Sequence, residues 1–106
     1  MMRPALLAFG MLLAPFTAIA GERARTPEEF YNARCAYCHD ANGWGTRKLA
    51  ERLPKGEAEL RKRHDLPPDY VEYVVRHGVG SMPQFTPTEL TDAELAALAR
   101  WLARKD

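Results

Sequence analysis

The sequence predicts a small all-α domain, and two observations carry that prediction. From residue 21 onward, apolar residues recur at the three- and four-residue intervals of amphipathic helices, without the sustained alternation that is typical of strands. Capping residues, prolines and glycines bracket these stretches as helix start and stop signals. A length of 106 residues allows one domain. The formal net charge of +1 gives no support to nucleic-acid binding.

Residues 1–20 differ in composition from the rest of the chain. They combine one early positive charge, an apolar run and a terminal Ala-Ile-Ala, which is typical of a secretory signal peptide cleaved after residue 20. The alternative is an uncleaved membrane anchor, but a span needs ~20 predominantly apolar residues. This run is shorter and is interrupted by Gly10 and Pro15. We therefore expect an exported, periplasmic domain of residues 21–106, without membrane insertion once the signal is removed.

The first helix is predicted at residues 25–34. Thr26 and Glu29 have the spacing of a capping box, and a proline occupies the first helical position between them. Phe30 and Tyr31 are expected to face the core.

Residues 43–63 predict a turn followed by short helical segments. The Gly-Trp-Gly sequence at 43–45 is typical of a turn, and Leu49 and Leu53 share one helical face. Residues 57–63 are expected to form a further helical turn. The basic residues here are Arg47, Lys48, Arg52, Lys55, Arg61, Lys62 and Arg63. This basic segment is either a solvated face or a surface that steers an acidic partner.

Two firmer helices follow. The helix at 68–77 is expected to end at Gly78, because glycine adopts the left-handed C-cap conformation cheaply. Its predicted apolar stripe comprises Tyr70, Val71, Val74 and Val75. The last helix begins at a capping box of Thr91 and Glu94. Its predicted core face comprises Leu95, Leu98 and Leu102, with Leu90 and Leu95 placed for a hydrophobic staple.

All the cysteine lies in the pentapeptide Cys-Ala-Tyr-Cys-His at residues 35–39, which has four interpretations. A disulfide would close a very small loop and stabilise little. A thioredoxin-like redox pair expects a βαβ pattern, which this helical chain does not offer. Structural zinc usually needs a second, closely spaced pair of ligands, whereas His64 and His77 are widely separated.

The fourth interpretation is covalent haem c, and it is the one we favour. Cys-x-x-Cys-His is the attachment sequence for this cofactor. Two thiols separated by two residues, Cys35 and Cys38, can each bond one vinyl group of the same porphyrin. The next residue, His39, then lies under the iron and supplies its proximal nitrogen. Export agrees with this chemistry, because the attachment is made outside the cytoplasm.

Met82 is the predicted second iron ligand. It is the only methionine outside residues 1–20, and it lies in a loop between glycine and proline. Methionine more often fills a gap in a core. The rivals are His77, which suits the C-terminus of a helix, and His64, which lies in a polar stretch. Ligation by histidine and methionine raises the reduction potential of a haem.

These features together resemble a class I cytochrome c over nearly all of residues 26–104. The resemblance rests on the pentapeptide at 35–39, the glycines at 43 and 45, Met82-Pro83 and the final helix. It implies an all-α fold of three to five helices wrapped around one covalent haem. Family members often place a proline after the glycine turn, whose carbonyl orients the proximal histidine; here Thr46 stands at that position.

Within the family, residues 65–85 are similar to the small cytochrome subunit of 4-cresol dehydrogenase-type flavocytochromes. This similarity implies an electron-transfer protein rather than an enzyme, taking electrons from a flavin dehydrogenase as its cytochrome subunit. The first alternative is a free-standing cytochrome that shuttles between a dehydrogenase and a terminal acceptor. A small haem peroxidase, which needs an open distal site, is an alternative of another class.

Overall fold

The computed structural model describes residues 10, 12–15 and 23–104, and this part of the chain is helical. Its α-helices are α1 (Pro27–Phe30), α2 (Ala36–His39), α3 (Trp44–Ala50), α4 (Pro68–His77) and α5 (Asp92–Leu102). A π-helical turn, Tyr31–Cys35, joins α1 to α2, and a 3₁₀ turn, Leu60–Lys62, precedes α4. Extended pairing within the described residues is limited to one isolated bridge, between Val79 and Met82. The all-α prediction is confirmed.

Most of the predicted signal peptide lies outside the described residues. Its described part includes Leu12 and Leu13, which are 97% and 87% exposed. None of the helices in the described part of the chain combines the length and the hydropathy that crossing a bilayer requires.

The first helix begins as predicted but extends further. Thr26 caps α1: its hydroxyl accepts a hydrogen bond from the Glu29 N–H (3.2 Å), and the Glu29 carboxylate accepts one from the Thr26 N–H (2.8 Å). The helical path then continues through the π-helical turn to His39 instead of ending near residue 34. Such a turn inserts one residue into a helix and is frequent at functional sites. Here the turn ends at Cys35, the first residue of the Cys-Ala-Tyr-Cys-His pentapeptide.

The turn predicted at residues 43–45 lies earlier in the chain. The Gly43 N–H donates to the Asp40 carbonyl (3.0 Å), and Asn42 takes a positive φ of 66°. Asparagine tolerates this left-handed conformation better than most residues. The chain has therefore reversed before Gly43, which serves as the N-cap of α3, and Trp44 is already helical.

Helix α4 buries a narrower stripe than the sequence predicts. Val71 and Val75, one turn apart, are 6% and 8% exposed, and Val74 is half-buried. Tyr70 is 57% exposed, because it lies beside the i, i+4 row that faces the core.

The hydrophobic core forms where α5 packs against α1 and α4. The core cluster consists of Phe30, Tyr31, Leu66, Val71, Val75, Phe85, Leu90, Leu95, Leu98, Ala99 and Leu102. Half-buried residues packed against it are Cys35, Ala36, Leu60, Met82 and Trp101. The core face predicted for the last helix is confirmed, and Cys35 and Met82 adjoin the same cluster.

Candidate functional site

The two thiols lie on one helical turn beside the core. Cys35 ends the π-helical turn and Cys38 lies in α2; both are half-buried, and neither is in a disulfide. Burial raises the pKa of the Cys35 thiol to about 11. Reactive thiols of redox pairs have lowered pKa values, so this environment argues against a thioredoxin-like role.

His39 ends α2 with a partly buried imidazole. Burial lowers the pKa of His39 below its ordinary value, which keeps the ring neutral, as a metal ligand must be. Its Nδ1 is the one buried side-chain nitrogen or oxygen in the described part of the chain without a protein hydrogen-bond partner. Buried polar atoms are normally paired, so this ring is unusual in that no protein group holds it through Nδ1.

The start of α3 explains why His39 Nδ1 has no acceptor. Within a helix, the carbonyls of Gly45 and Thr46 serve the N–H groups four residues further on. The Thr46 hydroxyl is a donor and cannot replace a carbonyl acceptor here: it donates to the Asp40 carbonyl (2.7 Å) and lies 3.4 Å from the Cys38 carbonyl oxygen. Thr46 therefore braces the backbone on both sides of His39 rather than replacing the proline acceptor seen in the family.

Two glycines allow this close approach. A Cβ on Gly43 would lie 2.4 Å from the Cys38 carbonyl oxygen, closer than real Cβ contacts come. A Cβ on Gly45 would lie 3.1 Å from Cε1 of His39. The backbone at Gly45 thus covers the Nδ1 edge of the imidazole, and a side chain on Gly43 would displace the Cys38 carbonyl just before it.

An ionic network fixes the residue after His39. Arg61 donates to both carboxylate oxygens of Asp40, at 3.0 Å and 2.9 Å, and to the Asn32 side chain at 2.7 Å. The buried Tyr31 hydroxyl also donates to Asp40, at 2.9 Å. Burial raises the pKa of Asp40, but the hydrogen bonds from Arg61 and Tyr31 outweigh it and hold that pKa below its ordinary value. The carboxylate therefore stays charged and anchors the end of α2.

The loop that carries Met82 is tightly closed. Val79 and Met82 exchange backbone hydrogen bonds of 3.2 Å and 2.8 Å. Gly78 ends α4 with φ of 70°, and a Cβ there would lie 2.7 Å from the Met82 carbonyl oxygen. Only glycine fits both demands. The Met82 side chain is half-buried against the core cluster that Cys35 also contacts.

Arg76 ties this loop to the helices on both sides. Its guanidinium donates to the carbonyls of Phe85 (3.0 Å) and Leu90 (2.9 Å) and to the carboxylate of Asp92 (2.5 Å). The Phe85 N–H donates to the Val75 carbonyl (2.9 Å). The chain that follows Met82 is thereby held against the end of α4.

The rival histidines lie at the surface. His77 stacks on Tyr73 with ring centroids 4.1 Å apart, and its Nδ1 lies 2.8 Å from the Tyr73 carbonyl. His64 is exposed. The described residues hold no group of three or more His, Cys, Asp or Glu side chains arranged to bind a metal ion.

These features fit a haem. Two free thiols separated by two residues can take the thioether links, and a neutral ring with its Nδ1 edge covered by backbone leaves Nε2 as its donor. The sequence proposes the same donor set, Cys35, Cys38, His39 and Met82. It missed the supports Tyr31, Asp40, Arg61 and Arg76, whose partners are distant in the chain and leave no local pattern.

Comparisons with known proteins agree with this arrangement. Residues 22–102 match the family described as cytochrome C oxidase, cbb3-type, subunit III. The chain is 26% identical over 97 residues to the 4-cresol dehydrogenase [hydroxylating] cytochrome c subunit of Pseudomonas putida, covering 92% of this chain and 75% of the relative.

A crystal structure of p-cresol methylhydroxylase with substrate bound contains a similar chain. The match has a TM-score of 0.53 and 26% identity, and it covers 74% of this chain and 89% of the other. The predicted class I cytochrome c fold, the electron-transfer role and the haem c cofactor are confirmed. The chain belongs to the c-type cytochrome family that bears the description of subunit III of the cbb3-type cytochrome c oxidase.

Proposed function

We propose that this chain is an exported one-electron carrier that holds a single haem c through Cys35 and Cys38, with His39 and Met82 as axial iron ligands. The observation that carries the proposal is that the free thiol of Cys35 and the thioether of Met82 adjoin one core cluster, while a neutral His39 follows Cys38 directly. A bound haem c supplies an iron centre that cycles between ferric and ferrous states.

The protein's own residues keep that centre in place. The hydrogen bonds to Asp40 and the packing of Gly45 fix the His39 ring, and the closed loop at Gly78 fixes Met82. Because both ligands sit on braced segments, we expect neither to dissociate during the redox cycle. That leaves no open distal site of the kind a peroxidase needs.

The electron donor that we propose is a flavoprotein dehydrogenase, with this chain as its cytochrome subunit. The relatives from 4-cresol dehydrogenase and p-cresol methylhydroxylase support this assignment. Residues 1–20 would direct export to the periplasm, and the exposure of Leu12 and Leu13 agrees with a segment that does not belong to the core. Co-purification with a flavoprotein supports the subunit role, whereas a monomer alone at physiological salt favours the free carrier.

The decisive experiment expresses residues 1–106 in a host with c-type cytochrome maturation. We expect a red protein that begins at residue 21, is heavier than its amino acids by one haem and keeps its colour through acid–acetone extraction. Met82→Ala should remove the sulfur–iron absorption band near the red edge of the spectrum, and His77→Ala should leave it. A colourless protein with the mass of its amino acids alone contradicts the proposal.

A further inference from the structure

Two large aromatic side chains beside the thiols are exposed to solvent. Tyr37, which lies between the two cysteines, is 92% exposed, and Trp44, the first residue of α3, is 50% exposed. Exposed aromatic groups that lie together mark interaction surfaces, because tyrosine and tryptophan bury much area on binding and lose little side-chain entropy.

Both side chains face the same open depression. Tyr37 lines one part of it and Trp44 another, and Arg47 completes the edge formed by α3. Small and polar residues, Ala41, Asn42 and Gly43 among them, also line it. The surface is therefore an open basin of mixed polarity with two aromatic rings in its lining, and a protruding side chain of a partner can enter it.

The charge around the basin is positive. The Lys48 ammonium lies 4.9 Å from the centre of the Trp44 ring, and the Arg47 guanidinium lies 6.0 Å from it. Lys48 is paired with Glu51, whereas Arg47 forms no ion pair with any residue that the structure describes. A cation held over an exposed ring presents both charge and apolar area to a partner.

In the rest of the basic segment, some residues form ion pairs with carboxylates and others do not. Three of its basic residues, Arg61, Lys62 and Arg63, are paired with carboxylates. The unpaired charges in the described part of this segment are Arg47, Arg52 and Lys55. Of these three, Arg47 is the one that lies beside the Trp44 ring.

We propose that Tyr37, Trp44, Arg47 and Lys48 form a docking face for an acidic surface of the flavoprotein donor. This inference rests on the proposed function and specifies where that partner binds. Tyr37 precedes Cys38, so a donor seated on the docking face lies beside the point where the porphyrin is attached. The aromatic rings supply the buried anchors, and Arg47 attracts the acidic rim.

The test measures reduction of the matured ferric protein by a defined flavoprotein. The probe is the flavoprotein subunit of Pseudomonas putida 4-cresol dehydrogenase, reduced with 4-cresol and mixed in a stopped-flow instrument. That enzyme's own cytochrome subunit is the positive control. The variants are Tyr37→Ser, Trp44→Ser and Arg47→Gln, with Tyr70→Ser as a matched exposed aromatic and Lys62→Gln as a matched basic residue outside the docking face. The midpoint potential of each variant is measured, so that rates are compared at known driving force.

We expect the second-order rate constant to fall about ten-fold in each aromatic variant, as for loss of one anchor residue. Arg47→Gln should slow the reaction about three-fold at low salt, with the difference vanishing at high ionic strength. Rates in Tyr37→Ser and Trp44→Ser equal to that of Tyr70→Ser would overturn the docking face while leaving the flavoprotein donor intact. If the unsubstituted protein is not reduced while the positive control is, the flavoprotein assignment fails, and the docking face fails with it.

Discussion

Packing around His39 is tight on the Nδ1 side of the imidazole. The backbone of Gly45 lies against the ring, and that of Gly43 lies against the Cys38 carbonyl. The Thr46 hydroxyl lies within hydrogen-bond distance of both carbonyls that flank His39. The substitution of threonine for the family's proline is visible in the sequence. Its consequence, an imidazole positioned by packing instead of by a hydrogen bond at Nδ1, depends on where α3 begins and required the structure.

Gly43→Ala tests this packing at a single atom. The new methyl group would lie 2.4 Å from the Cys38 carbonyl oxygen, so the turn from Asp40 to Gly43 must open. Overpacking of this kind costs about 1–3 kcal/mol. We expect guanidinium denaturation of the haem-loaded variant to show a loss of that size. Gly80→Asn is the control, because that position is open and its φ of 54° suits asparagine. Equal losses in the two variants would contradict the close approach.

At the scale of elements, local chemistry was predictable and distant pairing was not. The capping boxes at Thr26 and Thr91 were correct because each cap bonds a group three residues away. The turn near residue 43 was misplaced because its left-handed residue is Asn42, which is a weaker signal than the glycines beside it. Arg61 and Asp40 are 21 positions apart in the chain. The segment that contains Arg61 has several other basic residues, and nothing in the sequence shows which of them pairs with Asp40.

Arg76 is the element-level support of the methionine loop. Its side chain is 19% exposed and is bonded to two carbonyls of the segment after Met82. In Arg76→Met, both carbonyls lose a charged donor, and we expect a loss of about 2–3 kcal/mol in stability. The sulfur–iron band should disappear at lower guanidinium concentration than the overall unfolding transition. The control is Arg100→Met, on the exposed side of α5, which should change neither the loss of the sulfur–iron band nor the overall unfolding. If Arg76→Met loses the band and unfolds at the same guanidinium concentration, the loop does not depend on Arg76.

The N-terminus of α5 makes stability depend on acidity. Hydrogen bonds from the Thr91 N–H and then from Arg25 hold the pKa of Glu94 below its ordinary value. Because the folded pKa is the lower one, this contribution is fully present above the ordinary value of about 4.3 and is lost as the pH falls through the folded pKa. Guanidinium denaturation at a series of pH values between 6 and 3 gives the free energy of unfolding at each pH. This free energy should fall less steeply with decreasing pH for Glu94→Gln than for the unsubstituted protein. An equal pH dependence in the two proteins would exclude a role for this carboxylate.

For the whole molecule, the core is continuous with the site. In the part of the chain that the structure describes, the buried side chains of the helices form one core cluster, and its half-buried border includes Cys35 and Met82. A domain of this size buries only about 60–70% of the surface that its unfolded chain exposes, so its own core leaves it a small margin of stability. A cofactor that binds the folded state alone adds its binding free energy to that small total.

Removal of the haem is therefore expected to cost most of the stability. The double variant Cys35→Ser/Cys38→Ser, expressed with the maturation machinery, should still show helical far-ultraviolet circular dichroism. On heating to 37 °C and above, it should show no cooperative unfolding transition. The matched control is the unsubstituted chain produced without that machinery, which keeps both thiols but carries no haem. The two proteins should behave alike, because the loss arises from the missing cofactor contacts and not from the serines. If the haem-free unsubstituted chain unfolds at the same midpoint as the haem-loaded protein, the core is complete without the porphyrin, and Cys35 and Met82 adjoin it as ordinary packing residues.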